Sequence, residues 1–512
     1  MSDSKDLILP IRRAARARAA EREREEPIDA HWSPFWHSTI IFAALTATVS
    51  VFWILPLGSS FWLDETGTAW AIQGSLAQTI ARAYHPGQPS VLFSIIAWII
   101  AGTGGLHELT LRLPSLIACL GATLGVYRLA SRSTYREEAL LACGIFVLNG
   151  PVSFAAAEAR PYGLALMAVV WAVVMLGRWC GNSRLSCGVG YAACVVLSIA
   201  LHYLCAVMVV VYAIYISSRN RLPAHFWKVF FAICLVLTPL AAHVEHLWHA
   251  RVEHSFAPTP TPADLISAVF PIRLIAGFCL SALVVGARSV GQLFRRELLV
   301  TPHRLFLMGW HLIPIVSLWA VSVFSDAKLF VSRYYLWSTP ALALFVASLL
   351  SEIPSTRTRR KMELCILAAL CCRSVTWGPA AHGGEDWRGA LAAARRIATK
   401  NSVLMVRAAF NESQYDSSLG STVSGNPNLA PLAMYPVDHK VELAPFGLTP
   451  PERERLEEVA SDVLRRHTTL LFVNRPSGPA VDQWLLGRFS GTKYRIDGVG
   501  GFAGLELLLF HP

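Results

Sequence analysis

The chain has 512 residues, 54% hydrophobic and only 15% charged, with a mean hydropathy of +0.44. Soluble globular proteins carry about a quarter charged residues, so this composition excludes a water-covered fold of ordinary surface. The net charge of +11 does not point to nucleic acid, because most basic residues sit in short segments between apolar runs, as in a membrane protein.

In chain order, the stretch IRRAARARAAEREREE within residues 1–36 is charged and helix-prone, with little to bury. It reads as a cytoplasmic tail lying on anionic headgroups, and no cleavable signal peptide is visible. The first apolar run, about 38–57, is long enough to cross ~30 Å of hydrocarbon. A long loop, 58–112, follows; within it the short apolar piece 90–101 predicts a helix at the membrane surface, with a crossing as the alternative. Further spans are expected near 113–131, 139–157, 161–178, 187–202, 203–217, 229–249, 265–287, 305–325, 335–352 and 363–379.

That makes about eleven crossings, with the termini on opposite sides. With the N-terminus inside, inner segments hold 23 Lys and Arg, and outer segments up to residue 361 hold 7. The bias places the first loop and the C-terminal region outside. The eleven cysteines lie between Cys119 and Cys372, in or near apolar segments, and read as small core hydrophobes rather than a disulfide framework.

Residues 381–512 contain no spanning run and alternate helix and strand signals. DWRGALAAARRIAT reads as a helix and SVLMVR as a buried strand. TPPERERLEEVASDVLRRH has Pro and acids early and bases late, the order a helix dipole favours. TTLLFVN reads as a strand, VDQWLLGRF as a helix, and YRIDGV with LELLLF as a terminal strand pair. A small α/β domain follows, without a glycine-rich phosphate loop or metal-ligand spacing, suited to a lid or acceptor-docking role.

Four polar clusters fall on the outer side: Asp64 with Glu65; His85 and Gln88 in YHPGQPS; Glu158, Arg160 and Tyr162 in EARPYGL; and Lys328, Arg333, Tyr334 and Tyr335 in KLFVSRYY. Ionisable groups at a bilayer edge default to a functional reading. A carboxylate can accept a proton from an attacking hydroxyl, and arginine grips phosphate with two parallel bonds. The set suits a lipid-linked, anionic, hydroxyl-bearing substrate. Alternatives stand beside each assignment: solvated loop acids for Asp64 and Glu65, snorkelling for Arg333 and Lys328, a structural pair for Glu158 and Arg160, and capping or packing for His202. His243, His246 and His249 drift around their helix and, like His311, are weak metal candidates.

WLDE after the first span, HPGQPS, LHELTLRLPSLIACLGA, EARPYGL, LHY, SRYYLWSTPALAL and EDWRGA, in that order, resemble the GT-C-type integral-membrane glycosyltransferases. The branch they resemble is the protein O-mannosyltransferase and lipid A aminoarabinose transferase superfamily, especially its bacterial core-polysaccharide-modifying members. The likeness covers about residues 38–390. It implies a GT-C-like membrane domain over 37–380, an outer C-terminal domain over 381–512, and residence in the bacterial inner (plasma) membrane. It further implies a polyprenyl-phosphate sugar as donor and transfer, at the outer face, to a lipid, glycan or protein hydroxyl. The family's catalytic acid falls on Asp64, with Glu65 beside it; Glu158 and Arg160 fall in the site wall, and Arg333 on the donor phosphate. The first loop has no D-x-D, so no motif supports a divalent metal, whose use stays open. The expected reaction is an inverting displacement, with Arg160 or Lys328 assisting Arg333. A transporter or flippase, with ionisable groups near mid-membrane in two related halves, is the alternative, and a non-catalytic membrane scaffold the third reading.

Overall fold

The computed structural model describes residues 34–512 apart from 85, 86, 89, 133, 135, 220, 221, 253–256, 373, 374, 376, 411–425, 478 and 479. Most of the charged tail and His85 therefore lie outside the described residues. Among the described residues, five helices are long and apolar enough to cross a bilayer: Thr39–Gly58, Glu108–Ala130, Tyr162–Asn182, Phe226–His249 and Pro302–Phe324. Two further pairs, Arg136–Leu148 with Gly150–Ala156 and Pro262–Val269 with Ile272–Val285, bend by 71° and 57° at short breaks, which allows seven. Prolines lie at both breaks: Pro151 in the first turn of one second half, Pro271 capping the other. Proline lacks the amide that would continue the ladder.

Val91–Gly104, Leu185–Leu201, Tyr203–Ser217 and Leu336–Leu350 are apolar but shorter. Each apolar run read from the sequence lies in one of these helices or in Thr356–Cys371, while length and composition alone support five to seven full crossings. The run expected over 363–379 stops being helical at Cys371. Large side chains such as Trp227, Phe231, Leu235 and Leu283 stand exposed. In this number they form the surface that lipid covers. The chain is a polytopic helical membrane protein carrying a small sheet at its C-terminal end.

That sheet has five strands, β1 Val403–Arg407, β2 Lys440–Leu443, β3 Leu470–Asn474, β4 Arg495–Gly498 and β5 Glu506–His511, in the order β2-β1-β3-β5-β4. β1 runs parallel to β2 and β3, whereas β5 pairs antiparallel with β3 and β4. Helices Pro450–Arg466 and Val481–Phe489 pack Leu456, Val463 and Leu485 against Phe472 and Phe510. The sheet region docks on the first loop. Phe61 N donates to the Tyr435 hydroxyl at 2.8 Å, Gln73 Nε2 to Ala433 O at 2.7 Å, and Arg388 N to Ser60 Oγ at 3.1 Å. Loop and sheet region therefore share one end of the helical bundle.

At another place in the bundle, Arg359 meets Glu138 at 2.7 Å and Arg360 meets Glu137 at 2.8 Å, joining Arg136–Leu148 to Thr356–Cys371.

Candidate active site

The site is organised by a nine-residue helix, Leu63–Ala71, whose first turn carries both acids of WLDE. Carboxylates are stabilised beside the exposed amides of a helix N-terminus. Neighbouring helix positions project about 100° apart, so Asp64 and Glu65 meet different surroundings.

Glu65 is fully buried. Its Oε1 accepts from Arg112 Nε at 2.7 Å and from the Ala159 amide at 2.7 Å. Its Oε2 accepts from Arg112 Nη2 and, at 3.4 Å, from the Trp62 amide. Arg112 is equally occupied: it donates to the carbonyls of Pro56, Leu57, Ser59 and Ser60 and lies over the Phe61 ring. A carboxylate holding four donors in a dry interior is a structural tie, which is a different position from the catalytic one expected for it.

Asp64 keeps 21% of its side chain exposed and pairs through Oδ2 with Arg333 Nη1 at 3.2 Å. Residues 269 positions apart are thus brought together. Arg333 sits in a short turn, Ser332–Tyr334, and its guanidinium lies 5.4 Å from the Trp62 ring, 5.5 Å from Tyr334 and 6.0 Å from Tyr162. Arg160 reaches the same place, Nη1 donating to Asp64 O at 3.3 Å and Nη2 to Gly87 O at 3.4 Å. Its backbone is pinned where two long helices nearly touch: Ser115 Oγ donates to Arg160 O at 3.2 Å, and a Cβ at Gly163 would sit 3.0 Å from Ser115 O. A larger residue there would push the two helices apart by a few tenths of an ångström.

Glu158 is fully buried, and neither carboxyl oxygen has a hydrogen-bond partner. Burial pushes its carboxyl up to about 8, opposed by Arg333, assisted by Glu65, opposed by Arg160 and assisted by Asp64. The group is mostly neutral at pH 7. His202 caps Leu185–Leu201 and packs its ring 5.2 Å from Tyr162, 5.6 Å from Tyr334 and 5.2 Å from Trp337. Its Nδ1 is buried without a partner.

Gln88 packs against the acid-bearing helix, its Oε1 3.4 Å from where a Cβ on Gly67 would stand and otherwise without a partner. Lys328 is placed differently: its Nζ donates to Ser322 O and Ser325 O, both at 3.0 Å, closing the end of Pro302–Phe324. His311 bonds the Ser338 and Val269 carbonyls and His243 the Tyr203 hydroxyl at 2.7 Å. Among the described residues no three His, Cys, Asp or Glu side chains converge as a metal-binding group.

Residues not singled out in the sequence complete the frame. Glu385 Oε2 accepts from the Leu63 amide at 2.9 Å, capping the acid-bearing helix from the C-terminal region, and from Trp387 Nε1 at 2.8 Å; Oε1 accepts from Arg475 at 2.7 Å. Glu108 receives both Arg388 at 3.0 Å and the Tyr435 hydroxyl at 2.9 Å. Gly383, at φ +70°, leaves room only for the Trp62 ring, and Trp62 in turn meets Phe154, which stacks on His382 at 4.3 Å. The signals were present: Glu108 and Arg112 stand four apart on a helix in LHELTLR, and Glu385 opens EDWRGA.

No protein-family model matches the chain, and no curated protein matches it. Solved structures align along most of the chain. ArnT from Cupriavidus metallidurans bound to undecaprenyl phosphate is 13% identical, covering 92% of this chain and 98% of that one, with a TM-score of 0.48. The same protein in the apo state is 12% identical, with equal coverage and a TM-score of 0.47. The arabinofuranosyltransferase AftD from Mycobacteria (mutant R1389S, class 1) is 17% identical over 94% of this chain and 42% of that one, with a TM-score of 0.49.

Proposed function

We propose that the protein is a membrane glycosyltransferase that moves a sugar from a polyprenyl-phosphate donor to a hydroxyl acceptor. The observation that carries this reading is the Asp64–Arg333 pair, half-open and walled by Arg160 and aromatic rings. It lies at the bundle end that docks the C-terminal sheet region, on the same helix that Glu385 caps. A transporter reading would call for ionisable groups at mid-depth. The outer-face, inner-membrane placement and the division into membrane and outer domains at about residue 380 belong to the same proposal, as do the substrate-binding roles of Gln88, Tyr162, His202 and Tyr334. Glu65 is left out of the chemistry, and Lys328 out of phosphate binding, because their partners are already taken.

In the proposed reaction the acceptor oxygen attacks the anomeric carbon from the side opposite the phosphate. Asp64 takes the hydroxyl proton, the bond from the anomeric carbon to the phosphate oxygen breaks with its electron pair, and inversion results. Phosphate leaves readily at neutral pH, so charge stabilisation matters more than a strong acid. Two guanidiniums supply it in a partly dry site. The resting ion pair also has a use: a donor phosphate that captures Arg333 frees the Asp64 carboxylate to meet the acceptor hydroxyl. Removing the base lowers kcat by about 10²–10⁴. Asp64→Asn, in membranes supplied with polyprenyl-phosphate sugar, is the test; undiminished release of polyprenyl phosphate would remove Asp64 from its role.

A further inference from the structure

We infer that the segment 382–386, which leads from the helical bundle into helix Trp387–Ile397, positions both members of the Asp64–Arg333 pair. Gly383 sets the Trp62 ring over which the Arg333 guanidinium lies, and Glu385 sets the start of the helix that carries Asp64. The inference rests on the transferase reading above and adds Trp62, Gly383 and Glu385 to its site as positioning residues.

Trp62 belongs to both halves of the pair. Its backbone begins the acid-bearing helix, with Trp62 O accepting from the Glu65 and Thr66 amides, both at 3.0 Å. Its ring faces Arg333, whose guanidinium carbon lies 5.4 Å from the ring centroid. The negative face of an indole attracts a guanidinium, so the place of the ring helps to fix the place of the cation. Gly383 in turn fixes the ring. At φ +70° it holds a backbone conformation that favours glycine, and a Cβ there would overlap Trp62 Cβ and Cγ and stand 2.7 Å from Cδ1. Those atoms are the stem of the side chain, so a methyl group at 383 displaces the whole indole rather than its far edge. Residue 382 reaches the same ring through Phe154, which meets Trp62 at 5.7 Å and stacks on His382 at 4.3 Å.

Glu385 acts on the backbone instead. Leu63 N is among the first amides of the helix, which find no partner inside it, and Glu385 Oε2 accepts from it at 2.9 Å across 322 positions of sequence. Trp387 Nε1 at 2.8 Å and Arg475 Nε at 2.7 Å hold that carboxylate in place, and Asp386 N donates to Ala503 O at 3.0 Å. Arg475 follows β3 and Ala503 precedes β5. The segment is thus tied to the sheet on one side and to the first loop on the other. A misplacement of about 1 Å between reacting groups costs on the order of a hundredfold in rate, so the seating of the sheet region becomes part of the catalytic geometry.

The experiment uses the full-length protein in nanodiscs. Binding of radiolabelled polyprenyl phosphate gives affinity, its release from a panel of polyprenyl-phosphate hexoses and pentoses gives kcat, and the melting temperature reports folding. Trp62→Leu, apolar but without a ring face, is expected to bind polyprenyl phosphate about tenfold more weakly, and Trp62→Phe within about threefold of the parent. Gly383→Ala should match the loss of Trp62→Leu, yet cost less than about twofold more when added to it, because the ring it displaces is already gone. Glu385→Ala should lower kcat about tenfold or more with affinity held within about threefold, and Glu385→Gln should regain part of that. Trp62→Leu binding as tightly as the parent, or Gly383→Ala costing its full factor again in Trp62→Leu, overturns the positioning role and leaves the transferase standing. So does Glu385→Ala with a lowered melting temperature and an unchanged kcat. Should Gly383→Ala fail to fold, the contrast between Trp62→Leu and Trp62→Phe decides alone. An unmodified protein that neither binds polyprenyl phosphate nor releases it from any sugar of the panel overturns both readings.

Discussion

Asp64 and Glu65 are adjacent acids in one helical turn, yet the two sides of that turn differ in kind. On the Glu65 side the charged groups are matched: Arg112 divides its bonds between the carboxylate and four carbonyls, and Glu385 caps the helix while holding Arg475. On the Asp64 side the matching is incomplete, with both carboxyl oxygens of Glu158, Gln88 Oε1 and His202 Nδ1 buried without partners and Asp64 one-fifth exposed. The saturated side fixes geometry, and the unsaturated side is where a ligand completes the bonding. Local rigidity and local reactivity are thus divided within one short helix.

Breaking each side in turn should produce different failures. Asp64→Asn carries the largest expected effect, the fall of about 10²–10⁴ in kcat described above, with the melting temperature nearly unchanged because only a partly exposed pair is altered. Glu65→Gln is expected to act on stability, costing about 3–5 kcal/mol by leaving Arg112 buried without its counter-charge. Chemical denaturation in mild detergent would show it. A variant as stable as the parent, with activity lost, would reverse the roles of the two acids.

Glu385→Ala should come next, at about 1–3 kcal/mol for an uncapped amide and a released Arg475. Its kcat should fall while KM for the donor holds, and Glu385→Gln should restore part of the loss. A parallel loss of donor affinity would place Glu385 in the binding pocket rather than behind it.

The smallest effect is a titration. Glu158 is raised from 4.5 to about 8 in the folded protein, so its contribution to stability is complete below about 4.5 and is lost as pH rises through about 8. Activity followed from about pH 6.5 to about 9.5 should decline above pH 8, and Glu158→Gln should abolish that decline. A decline that persists in Glu158→Gln would assign it to another group.

Much of this was legible in the one-dimensional pattern. The helix DWRGALAAARRIAT appears as Trp387–Ile397, TTLLFVN as β3, and YRIDGV with LELLLF as the antiparallel β4–β5 pair. β2 was missed because four residues at a sheet edge, half of them charged, give almost no periodic signal. Ala430–Met434 was missed as too short to show a helical period. Arg112 is not singled out by the sequence, since nothing local reveals that five backbone and side-chain oxygens of 56–60 and a buried carboxylate will surround it.

Composition and apolar run length by themselves determined a polytopic helical membrane protein with a mixed C-terminal region, because ~30 Å of hydrocarbon demands runs of a certain length whatever they pack against. The same reading picked out Asp64 and Arg333 as chemistry-bearing residues at a helix end. Tertiary structure alone decided that they meet, that Glu65 turns into the protein while its neighbour stays one-fifth exposed, and that Glu385 reaches back across more than three hundred residues to cap their helix. Contacts of that sequence separation depend on how helices cross and how a distant sheet docks, and no local pattern of residues encodes either.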